Sequence, residues 1–529
     1  MNITGLSLNS VARLFFAVVL SLGLWINSSA VAQQSAQPGQ NPPTATQAPE
    51  QNAAPPKDQA ASPEKTQGQD DDKGEVKITP REAEQLFHSV DEILEYDSKQ
   101  TGLPIHKQVK RKLTSRDEVV SYLTKHMNDE DTKRLRRSEL VLKKFGLLPR
   151  TFDLETFLVA LLKEEVAGYY DPKTKTVNLL DWVPMEEQEP VMAHELTHAL
   201  QDQSVGLEKW MRHGDKDLGE IKKDPTPMDI ENDETDDARE AVVEGQAQAM
   251  MFQYALAPTG RSIVDSPGLL AAMEEETLTG TPGTKVFNEA PLFLKESMTF
   301  PYSNGMEFVV RIMQKAGKDR AFEGVLKNPP HTTRQIMQPE TYLSQERIEP
   351  IQVPDFKRDF KEYQKFDIGA MGEFDVDVLI EQYAGKKRAK QMYPEWRGGY
   401  YYAAKQKANP AAPLGLLYVS RWSTPEKAAE FAAIYADSLK ERYKSVAEVT
   451  NGTEKADTYR PVAPSHLHSA SLARNAEPHD GESAISTGRR AWTTDEGMVI
   501  IEQRGNIVFV SESLDAATTA TLEQDVFGK

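Results

Sequence analysis

The residues with the clearest chemical potential are His194, Glu195 and His198, which form an HExxH motif. They lie in a helix-compatible run, residues 190–203, where positions i and i+4 are one turn apart on the same face. Both imidazoles can therefore reach one metal ion, with Glu195 beside them where a metal-bound water would sit. A random arrangement of the 10 His and 81 acidic residues would give this pattern at most roughly 0.03 times. The motif therefore favours a zinc site over a solvated helix with two surface histidines.

A third ligand separates these two interpretations, because catalytic zinc usually has three protein ligands and an open fourth position. The chain has no Cys, so the third ligand must be His, Asp or Glu. Residues 236–256 predict a second helix, in which Glu240 and Glu244 share one face. Glu244 is the predicted third ligand, and Glu240 is a candidate for a hydrogen bond that supports a ligand. The alternative is that both are ordinary solvated glutamates. Gly245 and Ala247 are expected to allow close packing against the HExxH helix.

Residues 194–202 (HELTHALQD) resemble the active-site helix of thermolysin-type zinc metallopeptidases. Residues 244–247 (EGQA) are similar to the helix that supplies the glutamate ligand in the wider group, the gluzincins. The resemblance covers these two helices, and the segment between them, about residues 206–235, is longer than in thermolysin, acidic and loop-like. Two later stretches, residues 301–305 (PYSNG) and 329–335 (PPHTTRQ), resemble uncharacterised secreted prokaryotic relatives.

The resemblance implies a role for each matching residue. Three of them would bind one Zn²⁺ per chain: His194, His198 and Glu244. Glu195 would be the general base that takes a proton from the zinc-bound water, whose pKa the metal lowers toward about 7, and later protonates the leaving nitrogen. Asp202, four residues past His198, would orient an imidazole. The anionic intermediate needs a hydrogen-bond donor opposite Glu195, and Tyr302 and His331 are the candidates, with ordinary core or loop positions as the alternative.

Residues 168–180 predict a short hairpin just before the HExxH helix, with a turn at residues 171–174. Enzymes of this type hold an extended peptide along an exposed strand edge, which this hairpin would supply. Tyr169 or Tyr170 would then line the cleft, unless both are half-buried strand aromatics.

The first 78 residues are predicted to contain a signal peptide and a disordered linker and no part of the folded domain. Residues 1–32 read as a signal peptide, with Arg13 before an apolar run at 14–26 and the small-residue pattern Ala30-Val31-Ala32. The run is shorter than the about 20 residues of a spanning helix, although an uncleaved anchor is the alternative. Residues 33–78 are rich in Pro, Gln and Ala and are expected to be disordered. We expect a secreted or periplasmic protein with no transmembrane segment after cleavage and, without Cys, no disulfides.

The remainder predicts an α+β protein in two parts. Residues 79–349 read as a mostly α-helical zincin-like peptidase domain with a small sheet, opened by capping boxes at Thr79–Glu82 and Ser115–Glu118. Residues 350–529 read as a separate α+β module with an antiparallel sheet. In this module we predict strands at 399–403 and 414–419, a helix from Pro425, a hairpin at 498–510, a final helix, and a long loop at 451–486. Residues 400–402, three tyrosines, are either core packing or a binding surface.

The chain carries a net charge of −19. This balance argues against nucleic acid, whose phosphates require basic patches. The acidic run at residues 231–237 predicts a solvated loop, with a calcium site as the less favoured alternative because carboxylates are hard oxygen ligands.

The motifs therefore predict a secreted zinc-dependent metallopeptidase that acts on a peptide or protein substrate. The competing hypothesis is a non-catalytic envelope binding or assembly protein on an inactive zincin scaffold, with its function in the second module. Hydrolysis of a small amide or a cell-wall cross-link is a third. Glu195 favours catalysis, since a purely structural site has no use for a general base.

Overall fold

The computed structural model describes residues 78–115, 117–118, 129–164, 168–183, 185–211, 225–266, 285–449 and 488–528. The predicted signal peptide, nearly all of the predicted linker and the predicted loop at 451–486 lie outside these residues. The described chain combines helices with one mixed and one antiparallel sheet, and the prediction of a mixed α+β fold is confirmed.

The first part of the chain is mostly helical. Its helices are α1 (Pro80–Thr101), α2 (Asp129–Phe145), α3 (Leu154–Glu164), α4 (Met185–Val205), α5 (Leu207–Met211), α6 (Pro227–Glu231), α7 (Thr235–Leu256), α8 (Lys285–Asn288), α9 (Leu292–Ala316), α10 (Val325–Lys327), α11 (Thr333–Met337) and α12 (Pro339–Leu343). A π-helical turn, Arg320–Gly324, leads into α10. The strands are β1 (Lys110–Thr114), β2 (Tyr169–Asp171) and β3 (Thr176–Leu180), in the order β1-β3-β2 with β1 parallel and β2 antiparallel to β3. The predicted hairpin is confirmed, and β2 lies at the edge of its sheet.

Local capping explains where the ordered chain begins. The Thr79 side chain accepts a hydrogen bond from the Glu82 amide, and the Glu82 carboxylate accepts one from the Thr79 amide, so two orphan donors of α1 are satisfied. Gly102 ends the helix in the left-handed conformation. The same reciprocal bonds join Ser115 and Glu118, although most of the helix predicted there lies outside the described residues.

Helices α7 and α9 cross at two glycines. A Cβ atom at Gly245 would lie 2.1 Å from the carbonyl carbon of Gly305, and one at Gly305 would lie 2.1 Å from the Ala241 oxygen. Only glycine permits this approach at either position. The prediction that Gly245 packs against the HExxH helix is therefore wrong, because the position where a Cβ atom would lie faces α9 instead.

The second part is built around a seven-stranded antiparallel sheet, with strand order β4-β5-β6-β10-β9-β8-β7. Its elements are α13 (Phe356–Asp359), β4 (Tyr363–Ala370), α14 (Glu373–Ala384), α15 (Lys386–Met392), β5 (Trp396–Gln406), β6 (Gly415–Trp422), α16 (Pro425–Arg442), β7 (Val446–Glu448), β8 (Arg489–Thr494), β9 (Gly497–Arg504), β10 (Ile507–Glu512) and α17 (Ala516–Phe527). The predicted strands, hairpin and helices of this part are all present. The tyrosines at 400–402 are buried, so core packing is the correct interpretation.

One cluster of buried hydrophobic side chains contains residues of both parts. Phe145, the last residue of α2, packs edge-on against Tyr401 and Tyr418 of the large sheet, with ring centroids 5.9 and 5.6 Å apart. Beside it, the buried Lys144 ammonium lies 2.9 Å from the Glu496 carboxylate and 3.8 Å from that of Glu512. A buried cation of the first part is thus neutralised by carboxylates of the second.

The acidic run at 231–237 also joins the two parts, so the predicted solvated loop is wrong. The Ala370 amide donates to Asp233 over 3.0 Å, and the Thr333 amide and hydroxyl donate to the buried Glu234 over 3.0 Å each. Helix α7 begins inside this run, at Thr235. Within the described part of the chain, no helix is long and apolar enough to cross a membrane.

Candidate metal centre

Helix α4 brings the two histidines of the motif together. Both side chains are buried, and their Nε2 atoms lie 3.1 Å apart with the rings nearly perpendicular. This arrangement follows from the helical period, because residues four apart stack one above the other on one face.

Helix α7 adds a carboxylate to the pair. Glu244 Oε2 lies 3.2 Å from His194 Nε2 and 3.6 Å from His198 Nε2. Among the described residues, these three form the one group of at least three His, Asp or Glu side chains that could hold a metal ion. No such group is found in the acidic run, which leaves the calcium alternative without support.

The spacing and chemistry of the three atoms fit zinc. Bonds of about 2.0–2.1 Å to the corners of a tetrahedron put ligand atoms roughly 3.4 Å apart. The three observed separations, 3.1, 3.2 and 3.6 Å, bracket that value. Two imidazoles and one carboxylate are also a donor set that suits zinc, whereas Ca²⁺ and Mg²⁺ prefer oxygen ligands.

Comparisons of the chain with family models, curated proteins and solved structures found no match.

His198 and Glu244 shift each other's pKa in opposite directions. Burial on its own would lower the pKa of His198, but the charge of Glu244 raises it to about 9. Burial would raise the pKa of Glu244, but His198 and His194 lower it to about 2. The carboxylate is thus held in its anionic form, which is the form that binds a cation.

Glu195 lies beside the ligands and is fully buried. Its Oε2 atom accepts a 2.7 Å hydrogen bond from the main-chain amide of Tyr170 in β2, and Oε1 has no hydrogen-bond partner among the described residues. Burial raises the pKa of Glu195, partly opposed by His194 and His198. One carboxylate oxygen is therefore fixed by the strand.

Tyr302, one of the two candidate donors, lies next to His194. Its ring stacks on His194 with centroids 6.2 Å apart and planes 24° apart. Burial raises the pKa of Tyr302 well above its ordinary value, and the negative charges of Glu244, Glu240 and Glu195 raise it further. The phenol is therefore a neutral hydrogen-bond donor surrounded by carboxylates. Glu240, also predicted, is buried close enough to contribute to this field.

Asp202 was predicted to orient an imidazole, but among the described residues it is hydrogen-bonded to neither His194 nor His198. Its Oδ2 atom accepts from the Tyr170 hydroxyl over 2.8 Å and lies 2.6 Å from Lys175 Nζ, so Asp202 ties α4 to the hairpin. The partner of His198 is Gln201, whose Oε1 atom lies 2.9 Å from Nδ1. Residues three apart on a helix are neighbours, and this spacing was the available sequence signal for Gln201.

His331 is not brought to the site. Its main-chain oxygen accepts from the Thr235 hydroxyl over 3.3 Å, at the first residue of α7. Thr235 and Glu244 are nine residues apart on α7, which corresponds to about 13 Å along the helix axis. The main-chain amide of His331 donates to the Gln335 side chain over 2.8 Å, just before α11 begins.

Proposed function

We propose that this protein is a zinc-dependent metallopeptidase of the gluzincin type that hydrolyses peptide bonds. The observation that carries the proposal is the tetrahedral spacing of His194, His198 and Glu244 with a buried carboxyl, Glu195, directly beside them. A purely structural zinc site has four protein ligands and no use for a neighbouring general base. Zinc held by the three ligands would supply Lewis-acid activation of water and of the scissile carbonyl.

Glu195 is the proposed general base and acid. The Tyr170 amide holds Oε2, which leaves Oε1 to take a proton from water and later to deliver it to the leaving nitrogen. Burial raises the pKa of this carboxyl above its ordinary value, which is the direction that suits a group that must both accept and return a proton.

Tyr302 is the proposed donor to the developing oxyanion. Its ring stacks on His194, its hydroxyl hydrogen-bonds with Glu244, and its raised pKa keeps that hydroxyl protonated. A preorganised donor of this kind stabilises negative charge that develops only in the transition state.

The edge strand β2 is the proposed holder of the substrate backbone. Strand β2 lies at the edge of its sheet, and its Tyr170 amide donates to Glu195, so this strand borders the proposed catalytic carboxyl. An extended peptide added along this edge would present its scissile bond to the site. The predicted export signal would place this activity in the periplasm or outside the cell.

The test compares Glu195→Gln with Glu189→Gln, a matched change on the same helix at a residue that contacts Ser89. We expect about one zinc per chain in the wild type and both variants. Cleavage of casein or a peptide library should fall by about 10²- to 10⁴-fold in Glu195→Gln only.

Equal cleavage by Glu195→Gln would refute the general-base assignment. A wild type that binds zinc and cleaves nothing would favour the non-catalytic scaffold. Iron instead of zinc in the purified protein would point to a different chemistry.

A further inference from the structure

We propose that Gln201 and Gln246 form a neutral amide relay that fixes the orientation and tautomer of His198 and couples it to the π-helical turn Arg320–Gly324. This inference rests on the metal site of the proposed function, but not on its hydrolytic activity. It makes both glutamines positioning residues.

The relay is a continuous chain of buried hydrogen bonds. Gln201 Nε2 donates to Gln246 Oε1 over 2.9 Å and to the Val243 carbonyl over 3.0 Å. Gln246 Nε2 donates to the carbonyls of Ala321 and Phe322 over 2.8 and 3.1 Å. Both glutamine side chains are fully buried, so water does not compete for these bonds.

The direction of every bond follows from the far end of the relay. Main-chain carbonyls can only accept, so the Gln246 nitrogen must face Ala321 and Phe322 and its oxygen must face Gln201. The Gln201 nitrogen in turn faces Val243 and Gln246, which leaves its oxygen against His198 Nδ1.

An amide oxygen also only accepts, so Nδ1 of His198 must carry a hydrogen. The lone pair of the neutral ring is then on Nε2, the atom that faces His194 and Glu244. The relay thus selects the tautomer that a metal ligand at this position requires.

The relay orients the ring without adding charge. A carboxylate behind a ligating histidine raises the basicity of the ring and adds a negative charge to the site. This site already contains the buried carboxyls of Glu244, Glu195 and Glu240. A neutral acceptor orients His198 and leaves more of the positive charge of the cation available to act on substrate.

The anchor of the relay is a structural irregularity. The Val325 amide donates back to the carbonyls of Arg320 and Phe322 at the end of the π-helical turn. Such turns are rare, and they occur frequently at functional sites. Here the turn directs two carbonyls at the glutamine that supports the metal ligand.

The test measures zinc affinity by competition with a chelator for full-length Gln201→Met, Gln246→Met and the double variant. Methionine keeps the unbranched shape of glutamine and removes its hydrogen bonds. The matched control is Gln203→Met on the same helix, where the wild-type side chain accepts from the His106 and Lys107 amides.

We expect Gln201→Met to weaken zinc binding about 10- to 100-fold, and Gln246→Met to weaken it less. Because the two glutamines act in series, the double variant should bind like Gln201→Met alone, whereas independent residues would give additive losses. Gln203→Met should bind like the wild type. The visible spectrum of the Co²⁺-loaded protein should change in the Gln201 and Gln246 variants only, since it reports the geometry of the ligands.

Unchanged affinity and spectra in folded Gln201→Met would overturn the relay while leaving the proposed function intact. Circular dichroism of the metal-free variants checks that they are folded. A wild type that binds neither Zn²⁺ nor Co²⁺ would overturn the metal site, and the relay with it.

Discussion

Replacing Gly305 by alanine tests whether the glycine crossing of α7 and α9 builds the site. The added Cβ atom would lie 2.1 Å from the Ala241 oxygen, where real Cβ atoms essentially never come within 3.0 Å. The two helices must therefore separate by about 1 Å at this point, in a core that is packed without free space. Glu244 is one residue from Gly245 on α7, and Tyr302 is about one turn from Gly305 on α9. The distance between these two side chains should therefore increase when the helices separate.

Two opposing free energies decide the stability of Gly305→Ala. Alanine in a helix interior is favoured over glycine by about 1 kcal/mol. Overpacking of a closely packed core costs about 1–3 kcal/mol, and the backbone clash here belongs at the upper end. We expect a net loss of about 1–2 kcal/mol in the free energy of unfolding. Peptidase activity should fall further than zinc affinity, because Tyr302 moves with α9 whereas both histidines are on α4.

The assay is urea denaturation of the metal-free protein, followed by chelator competition and peptide cleavage. Gly260→Ala is the control, because that glycine has φ +69° and nothing within 4 Å, so its variant has backbone strain without a clash. A Gly305→Ala protein as stable as the wild type, with unchanged activity, would show that helix propensity outweighs the contact and that the crossing is looser than described.

Further predictions concern the donor, two buried charges and the metal. Tyr302→Phe should lower kcat about 10²- to 10³-fold with zinc content unchanged, and equal kcat values in wild type and variant would remove the hydroxyl from the mechanism. Burial raises the pKa of Asp97 in the folded protein well above its ordinary value. The contribution of the protonated carboxyl to folding stability is fully present below the unfolded-state pKa and is lost as pH rises through the folded-state pKa. Asp97→Asn should therefore raise Tm relative to wild type by an amount that grows as pH rises above the ordinary pKa of an aspartate, and a difference independent of pH would contradict this. Lys144→Met should destabilise the fold by about 1–3 kcal/mol, because Glu496 and Glu512 each lose one cation and keep only Arg150 and Arg442 respectively. Lys143→Met, in the same helix, removes an i,i+4 pair with Glu139 and should change the free energy of unfolding by about 0.5 kcal/mol or less in urea denaturation. Chelation of the metal should lower Tm and added zinc should restore it in calorimetry, since a ligand that binds only the folded state stabilises it.

Local patterns predicted the parts of the site that lie close together along one helix. His194, Glu195 and His198 needed only the helical period, and Thr79 and the hairpin before α4 needed only capping and turn chemistry. Glu244 was found because the missing third ligand had to be an acid or a histidine. Each of these inferences uses contacts within one or two elements.

The failures involve contacts that local patterns do not encode. Gly245 indicates that a backbone approaches closely, but whether α4 or α9 approaches depends on the packing of three helices. Asp202 and Gln201 are neighbours on α4 and point about 100° apart. The hairpin bonds to Asp202 and α7 bonds to Gln201, so tertiary packing decides which of the two faces His198. Strand β4 was missed because its pairing shifts between Lys365 and Asp367, which disrupts a simple alternation.

The continuous core of the two parts has a consequence for how this chain can be cut or recombined. A fragment ending near residue 349 would expose Phe145 and lose the anions that neutralise Lys144. Such a fragment should be recovered as aggregate, and supplying the remaining segment in trans during refolding should rescue it. The C-terminal half would then not function as an independently exchangeable domain, and relatives of this protein should contain both halves.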